Sequence, residues 1–168
     1  LLARIVDRIF VTFAASLPYF SPKKATLLGN PVRRSFVDAA ARDVAPFERN
    51  LVFTFGGSQG ARPLNEIVPQ ALGLLKKRGI DVRALHQAGK DAVPHVAAAY
   101  ATVGVVAEVT PFIDDMVVAY RRAHLVICRA GATSCAELTA LGVPALLVPF
   151  PQAADDHQTK NAQDLVAQ

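Results

Sequence analysis

The 168-residue sequence lacks the features that would anchor it in a membrane, staple it or load it with metal. A spanning helix needs about 20 consecutive apolar residues, and the longest apolar run here, residues 143–151, is far shorter and holds three prolines. Only two cysteines occur, Cys128 and Cys135, with no Cys-x-x-Cys or Cys/His ligand spacing. Neither a structural zinc nor a disulfide framework is therefore indicated, and a reducing cytosolic setting is expected. Charge of one sign is scarce as well: 18 Lys plus Arg against 14 Asp plus Glu leave +4. That excess suits an anionic ligand but falls short of a nucleic-acid-binding stripe. Also missing are a Walker Gly-Lys-Ser/Thr loop and a Gly-x-Gly-x-x-Gly fingerprint, which argues against an NAD(P) dehydrogenase.

What is present is 52% hydrophobic, enough for one well-buried domain and too much for a disordered tail. Leu1-Leu2-Ala3-Arg4 has neither an initiator Met nor a signal-peptide pattern, and Asp164-Leu165-Val166-Ala167-Gln168 stops inside an amphipathic pattern. A piece of a longer protein is expected on both counts. Arg8 to Phe13 reads as a short β-rich run, and the irregular, proline-bearing stretch from Ala14 to Val32 as a linker. From residue 51 onward, β-type runs at 51–55, 82–86, 105–109, 125–128 and 145–148 alternate with helical patterns. Leu64, Ile67, Val68, Ala71, Leu72 and Leu75 make one apolar helix face between Pro63 and Gly79. Strand and helix repeated in this way predict an α/β, Rossmann-like, doubly wound parallel sheet, whose ligands sit beyond the carboxyl ends of the strands.

The loops after those strands carry the candidate chemistry. Gly56-Gly57-Ser58-Gln59-Gly60-Ala61 offers N–H groups and a hydroxyl to an anion, or is a plain tight turn. Thr110-Pro111-Phe112-Ile113-Asp114-Asp115-Met116 suits a clamp on a flat base. Its two aspartates are better helix caps than metal ligands. Arg129 to Leu138 leads small residues and the hydroxyls of Thr133 and Ser134 into a helix start, a second anion site. Glu137, one turn in, either accepts from the vicinal hydroxyls of a ribose or complements the helix dipole. Pro149 to Gln158 has Asp, His and Gln that bond sugar hydroxyls or simply start a helix. None of His86, His95, His124 or His157 has an orienting partner at a motif spacing, which favours structural roles. Lys76-Lys77-Arg78 and Arg121-Arg122 fall at predicted helix ends, where they answer the dipole.

Taken in order, Gly29-Asn30-Pro31-Val32-Arg33, the 56–61 loop with Leu64-Asn65, His86-Gln87-Ala88-Gly89, Phe112 to Met116 and the two last loops resemble the MurG family of bacterial UDP-N-acetylglucosamine:lipid I N-acetylglucosaminyltransferases. These are GT-B enzymes of glycosyltransferase family 28. The resemblance implies the C-terminal half of a GT-B fold, with residues 1–28 the end of an N-terminal acceptor domain plus linker and residues 29–168 the donor domain, truncated at its C-terminus. It implies that Arg33 and Ser58 contact the phosphates or sugar, and that Phe112, Ile113 and Met116 enclose uracil, with Ile113 reading it through the backbone. Ala132, Thr133 and Ser134 would lie at the diphosphate, Glu137 on the ribose, and His157 and Gln158 on the N-acetylglucosamine hydroxyls. Two departures stand out: Thr133-Ser134 at a turn where the family usually has Thr, and His157-Gln158 where many members carry Gln-Gln.

The activity so implied is inverting transfer of N-acetylglucosamine from UDP-N-acetylglucosamine to the C4 hydroxyl of the MurNAc of lipid I, giving lipid II. No cofactor or metal is called for, Arg33 steadies the leaving group, and the general base is expected in the N-terminal domain outside this chain. The chain alone is expected to bind donor weakly and transfer nothing. The expected partners are UDP-N-acetylglucosamine, lipid I through the other domain, and peripherally the cytoplasmic face of the plasma membrane, with no nucleic acid. The alternatives are the donor-binding subunit of a split transferase and another GT-B UDP-sugar enzyme.

Overall fold

The computed structural model describes residues 2–42 and 47–167, with residue 154 described by its backbone alone. The central strand β3 (Leu51–Phe55) is buried along its whole length. Alternate side chains of a strand face opposite ways, so Leu51, Phe53 and Phe55 enter one apolar layer and Val52 the other. A strand apolar on both faces needs cover on both, and the pairing is accordingly parallel throughout. β3 lies between β4 (Arg83–Gln87) and β6 (Leu125–Cys128), β5 (Val106–Thr110) flanks β4, and β7 (Ala145–Leu147) flanks β6, in the order β5-β4-β3-β6-β7. On one face α2 (Arg62–Lys77) and α3 (Val93–Thr102) bury Leu64, Val68, Leu72, Val96 and Tyr100. On the other, α1 (Arg34–Ala40), α4 (Met116–Arg122) and α5 (Ala132–Leu141) bury Phe36, Ala119, Tyr120 and Leu138. A last helix, α6 (His157–Val166), follows β7.

The doubly wound sheet matches the sequence expectation, with β4 and β5 each displaced one residue toward the C-terminus. Val82 and Val105, read as strand starts, are buried but precede the first ladder residues. The stretch read as a linker is more ordered than expected: it holds a 3-10 helix over Ala14–Tyr19 and strand β2 (Ala25–Leu27), which pairs in parallel with β1 (Ile9–Val11) in a separate two-stranded sheet. Three-residue strands carry too little alternation to be seen as periodicity. Helix α1, short and mostly exposed, was not anticipated from the pattern either.

Two polar devices hold the layers. At the amino ends of the strands, Arg122 at the end of α4 bonds Glu48 at 2.6 Å and Glu108 at 3.1 Å, while Arg121 donates to the Ala39 carbonyl. Arg121-Arg122 is thus more than a dipole complement. Between α2 and β4, buried Asn65 donates to the Ala88 carbonyl at 2.9 Å and accepts from His86 Nε2 at 3.0 Å. With Nε2 the donor, His86 Nδ1 accepts from the Tyr100 hydroxyl at 2.9 Å. His86 therefore does have partners, but they come from α2 and α3, where no local spacing shows them.

Burial pushes the pKa of His86 from 6.5 down to about 4. The unfolded chain takes up this proton below pH 6.5 and the folded chain only near 4. The resulting stability is therefore full above pH 6.5 and falls by about 3 kcal/mol as pH drops through the window to 4. Urea titrations across that window should show the decline in the wild type and a shallower one in His86→Gln. Equal slopes would assign the acid sensitivity to other groups.

Candidate functional site

Because all five strands run the same way, the loops after them gather at one edge, and the strand order reverses between β3 and β6. That reversal opens a crevice flanked by the 56–61 loop and by the entry to α5, the place where open α/β sheets take ligands. Helix α5 begins at Ala132 without a side-chain cap. The N–H groups of Ala132, Thr133 and Ser134 have no intrahelical acceptor, and the dipole adds partial positive charge. The three residues expected at an anion thus sit together at the start of the helix.

Glu137 lies one turn further in and is only 5% exposed. Its Oε1 accepts from Arg33 Nη2 at 3.1 Å and its Oε2 from the Tyr120 hydroxyl at 3.2 Å. The choice between a ribose ligand and a dipole complement is reframed: the carboxylate is held from both sides by residues of other elements. Arg33, expected on the phosphates or sugar, is paired with Glu137, its guanidinium 5.0 Å from the centre of the Phe36 ring. Its side chain remains 58% exposed, so this ion pair sits at the rim of the site.

The loop read as a base clamp divides its side chains between surface and core. Phe112 stands out from the surface, whereas Ile113 and Met116 pack partly into the core layer of Phe53 and Tyr120. The Ile113 N–H, half of the backbone expected to read a base, donates to Gln87 Oε1 at 2.9 Å. The Ile113 carbonyl remains as an acceptor, the kind of group that suits the N3–H of a uracil and not the bare N3 of a cytosine. Asp115 caps α4, accepting from Val118 N–H at 3.1 Å, as a cap reading of the aspartates requires. Among the described residues no three His, Cys, Asp or Glu converge as a metal site.

Gln87, buried at the end of β4, also donates to the Gly57 carbonyl at 2.8 Å. One side-chain amide thus straps the 56–61 loop to the base-clamp loop. Within the 56–61 loop the glycines divide. A Cβ on Gly60 would run into the Ala88 carbonyl, so its positive φ serves loop-to-loop contact, while Gly57, φ 102°, faces open space. The tight-turn reading holds for Gly60 and the anion reading remains for Gly57 and Ser58. Ser58 is exposed and lines a cavity of about 710 Å³ with Gln59, Arg62, Lys90 and His95.

At the far side, Gln158 Oε1 accepts from Phe150 N–H at 3.0 Å, Asn161 donates to the Ala130 carbonyl at 3.0 Å and Arg129 to the Pro149 carbonyl at 2.9 Å. The last loop is fixed to the α5 entry by these bonds, in which Gln158 engages its carbonyl oxygen and not its NH2. His157 lines a different cavity, with Phe13, Ser16 and Tyr19 of the N-terminal segment. Arg33 and Glu137 are thus in contact, and Ile113 is linked to Gly57 through Gln87, while Ser58 and His157 face separate spaces. Gln87, Asn65 and Tyr120 were not singled out from the sequence as working residues. Gln87 and Asn65 do lie within the quoted motifs, but nothing in their spacing says which loops they bridge.

The glycosyltransferase family 28 C-terminal domain matches residues 51–168. Relatives named UDP-N-acetylglucosamine--N-acetylmuramyl-(pentapeptide) pyrophosphoryl-undecaprenol N-acetylglucosamine transferase include one from Myxococcus xanthus, 46% identical over 98% of this chain and 43% of its own length. Another, from Pelobacter propionicus, is 42% identical over the whole of this chain and 50% of its own length. The crystal structure of Acinetobacter baumannii MurG superposes with a TM-score of 0.76 at 35% identity, over 99% of this chain and 46% of that one. The glycosyltransferase of kitacinnamycin, at 19% identity and a TM-score of 0.61, shares the fold. The chain spans about half the length of the relatives it matches.

Replacing Gln87 by Met keeps the length of the strap but leaves the Gly57 carbonyl and Ile113 N–H without it. A loss of about 2 kcal/mol is expected in chemical denaturation. An unchanged midpoint would show that the strap carries no stability.

Proposed function

This chain belongs to glycosyltransferase family 28 by its C-terminal domain, and on that premise we propose that it is the donor-binding domain of an inverting transferase. The reaction moves N-acetylglucosamine from UDP-N-acetylglucosamine to the C4 hydroxyl of the N-acetylmuramyl group of lipid I, giving lipid II. The observation that carries this reading is the buried Glu137 one turn inside the uncapped start of α5, paired with a half-exposed arginine at the strand-order reversal. A nucleoside diphosphate needs an acceptor for its ribose and donors for its phosphates, and this spot supplies both within one helical turn.

In this mechanism the vicinal hydroxyls of the ribose take the place of Arg33 on Glu137, and the released guanidinium turns to the diphosphate. As the glycosidic bond breaks, negative charge grows on the β-phosphate. It is met by Arg33, by the N–H groups of Ala132, Thr133 and Ser134, and by those of the Gly57-Ser58 turn. These groups need no metal to do so. Phe112 covers the uracil while Ile113 and Met116 form its floor, and Gln158, with His157 beside it in sequence, serves the sugar hydroxyls.

Residues 1–28 are read as the end of a preceding acceptor domain and the linker from it. The separate β1/β2 sheet, with Leu2, Ile5, Phe10 and Leu28 exposed beside it, suits an element that continues into another core. That domain would bring lipid I and the general base, and hold the enzyme peripherally on the cytoplasmic face of the plasma membrane. No described helix is long and apolar enough to cross a membrane.

Calorimetry should detect binding of UDP-N-acetylglucosamine and not of GDP-N-acetylglucosamine; equal binding of both, or of neither, overturns the base clamp. In the full-length enzyme, removing one preorganised donor typically costs about 3 kcal/mol of barrier. Arg33→Ala should accordingly slow transfer to lipid I by about two orders of magnitude. Near-wild-type turnover would remove Arg33 from the site.

A further inference from the structure

Glu137 has two hydrogen-bond partners of opposite character. Arg33 reaches it from a flexible side chain at the rim and can leave. Tyr120 cannot: it is wholly buried, and its ring meets Phe36, Phe53 and Phe55 edge-on with centroids 5.9, 5.7 and 5.8 Å away. Three aromatic contacts from two strand positions and one helix hold that ring, so the hydroxyl is a donor at a fixed point. Burial and the neighbouring carboxylate raise the pKa of the phenol far above its ordinary value, so the oxygen keeps its proton and remains a donor to Oε2.

This asymmetry matters when a nucleotide arrives. A dehydrated carboxylate with one donor on each oxygen is fixed in rotation, whereas one with only Arg33 would turn both oxygens toward the guanidinium fork. We propose that Tyr120 is the positioning residue for ribose recognition, holding Oε2 of Glu137 in place so that Oε1 alone exchanges Arg33 for the nucleoside's vicinal hydroxyls. The role rests on the reading of Glu137 as the ribose contact. Without the Tyr120 hydroxyl, Glu137 and Arg33 close on each other, and the diol loses its acceptor while the diphosphate loses its cation.

The test is calorimetric titration of the full-length protein with UDP, 2′-deoxy-UDP and CDP, using wild type, Tyr120→Phe, Glu137→Gln and the double variant. Tyr120→Phe keeps the ring and its aromatic contacts. Wild type should prefer UDP to 2′-deoxy-UDP about tenfold, the size of one hydrogen bond to a charged acceptor. In Tyr120→Phe that preference should fall below about threefold while the preference for UDP over CDP stays at its wild-type value. On the Glu137→Gln background, Tyr120→Phe should change the ratio no further. A Tyr120→Phe protein that keeps the full 2′-hydroxyl preference overturns the proposal, as does one that loses its uracil and ribose preferences in parallel. Absence of any 2′-hydroxyl preference in wild type would remove the ribose site itself, a failure of the underlying reading that is distinct from a failure of Tyr120.

Discussion

Everything in this domain follows from a central strand that is buried on both sides. With Leu51, Phe53 and Phe55 turned one way and Val52 the other, β3 cannot face water on either side, so helices must cover both. Helices on both faces require crossover connections, crossovers make the strands parallel, and parallel strands put every βα loop at one edge. The order β5-β4-β3-β6-β7 then places the reversal beside β3 itself. The crevice between the 56–61 loop and α5 is thus a geometric consequence of where the most buried strand sits.

Loops gathered at an edge still have to be held, and here buried amides do it. Gln87 bonds Gly57 and Ile113, Asn65 bonds Ala88 and His86, and Asn161 bonds Ala130. Each satisfies backbone groups that no ladder can reach; Gln87 thereby joins two loops, while Asn65 and Asn161 each tie a loop to a helix. Their neutrality is an advantage beside an anion-binding edge, since they order the backbone without adding charge that would compete with a ligand. The charged pairs of Glu48, Arg122 and Glu108 lie elsewhere, with Glu48 and Arg122 just before β3 and β6 and Glu108 midway along β5.

Glu137 is the exception, a carboxylate almost removed from water within the binding edge. Such a group persists only when compensated. Arg33 comes from a residue 104 positions earlier and Tyr120 from one 17 positions earlier. In the proposed function, ligand entry is therefore an exchange of partners on Glu137 rather than the filling of an empty space.

The five strands of the main sheet, the helices that connect them and the loops that follow them were legible in the sequence because each depends on local periodicity, whereas α1 and β2 were not. The Asp115 cap, the Pro63 helix start and the five post-strand loops all appear where the pattern places them. The family was legible too, since its motifs are strings of neighbouring residues. What the chain alone could not reveal is who touches whom across the edge: that Arg33 meets Glu137, that Ile113 spends its N–H on Gln87, that His86 is locked between Asn65 and Tyr100. Those contacts join residues separated by 14 to 104 positions. They are set by which strands become neighbours, and sequence determined the elements while only the assembled sheet decided their partners.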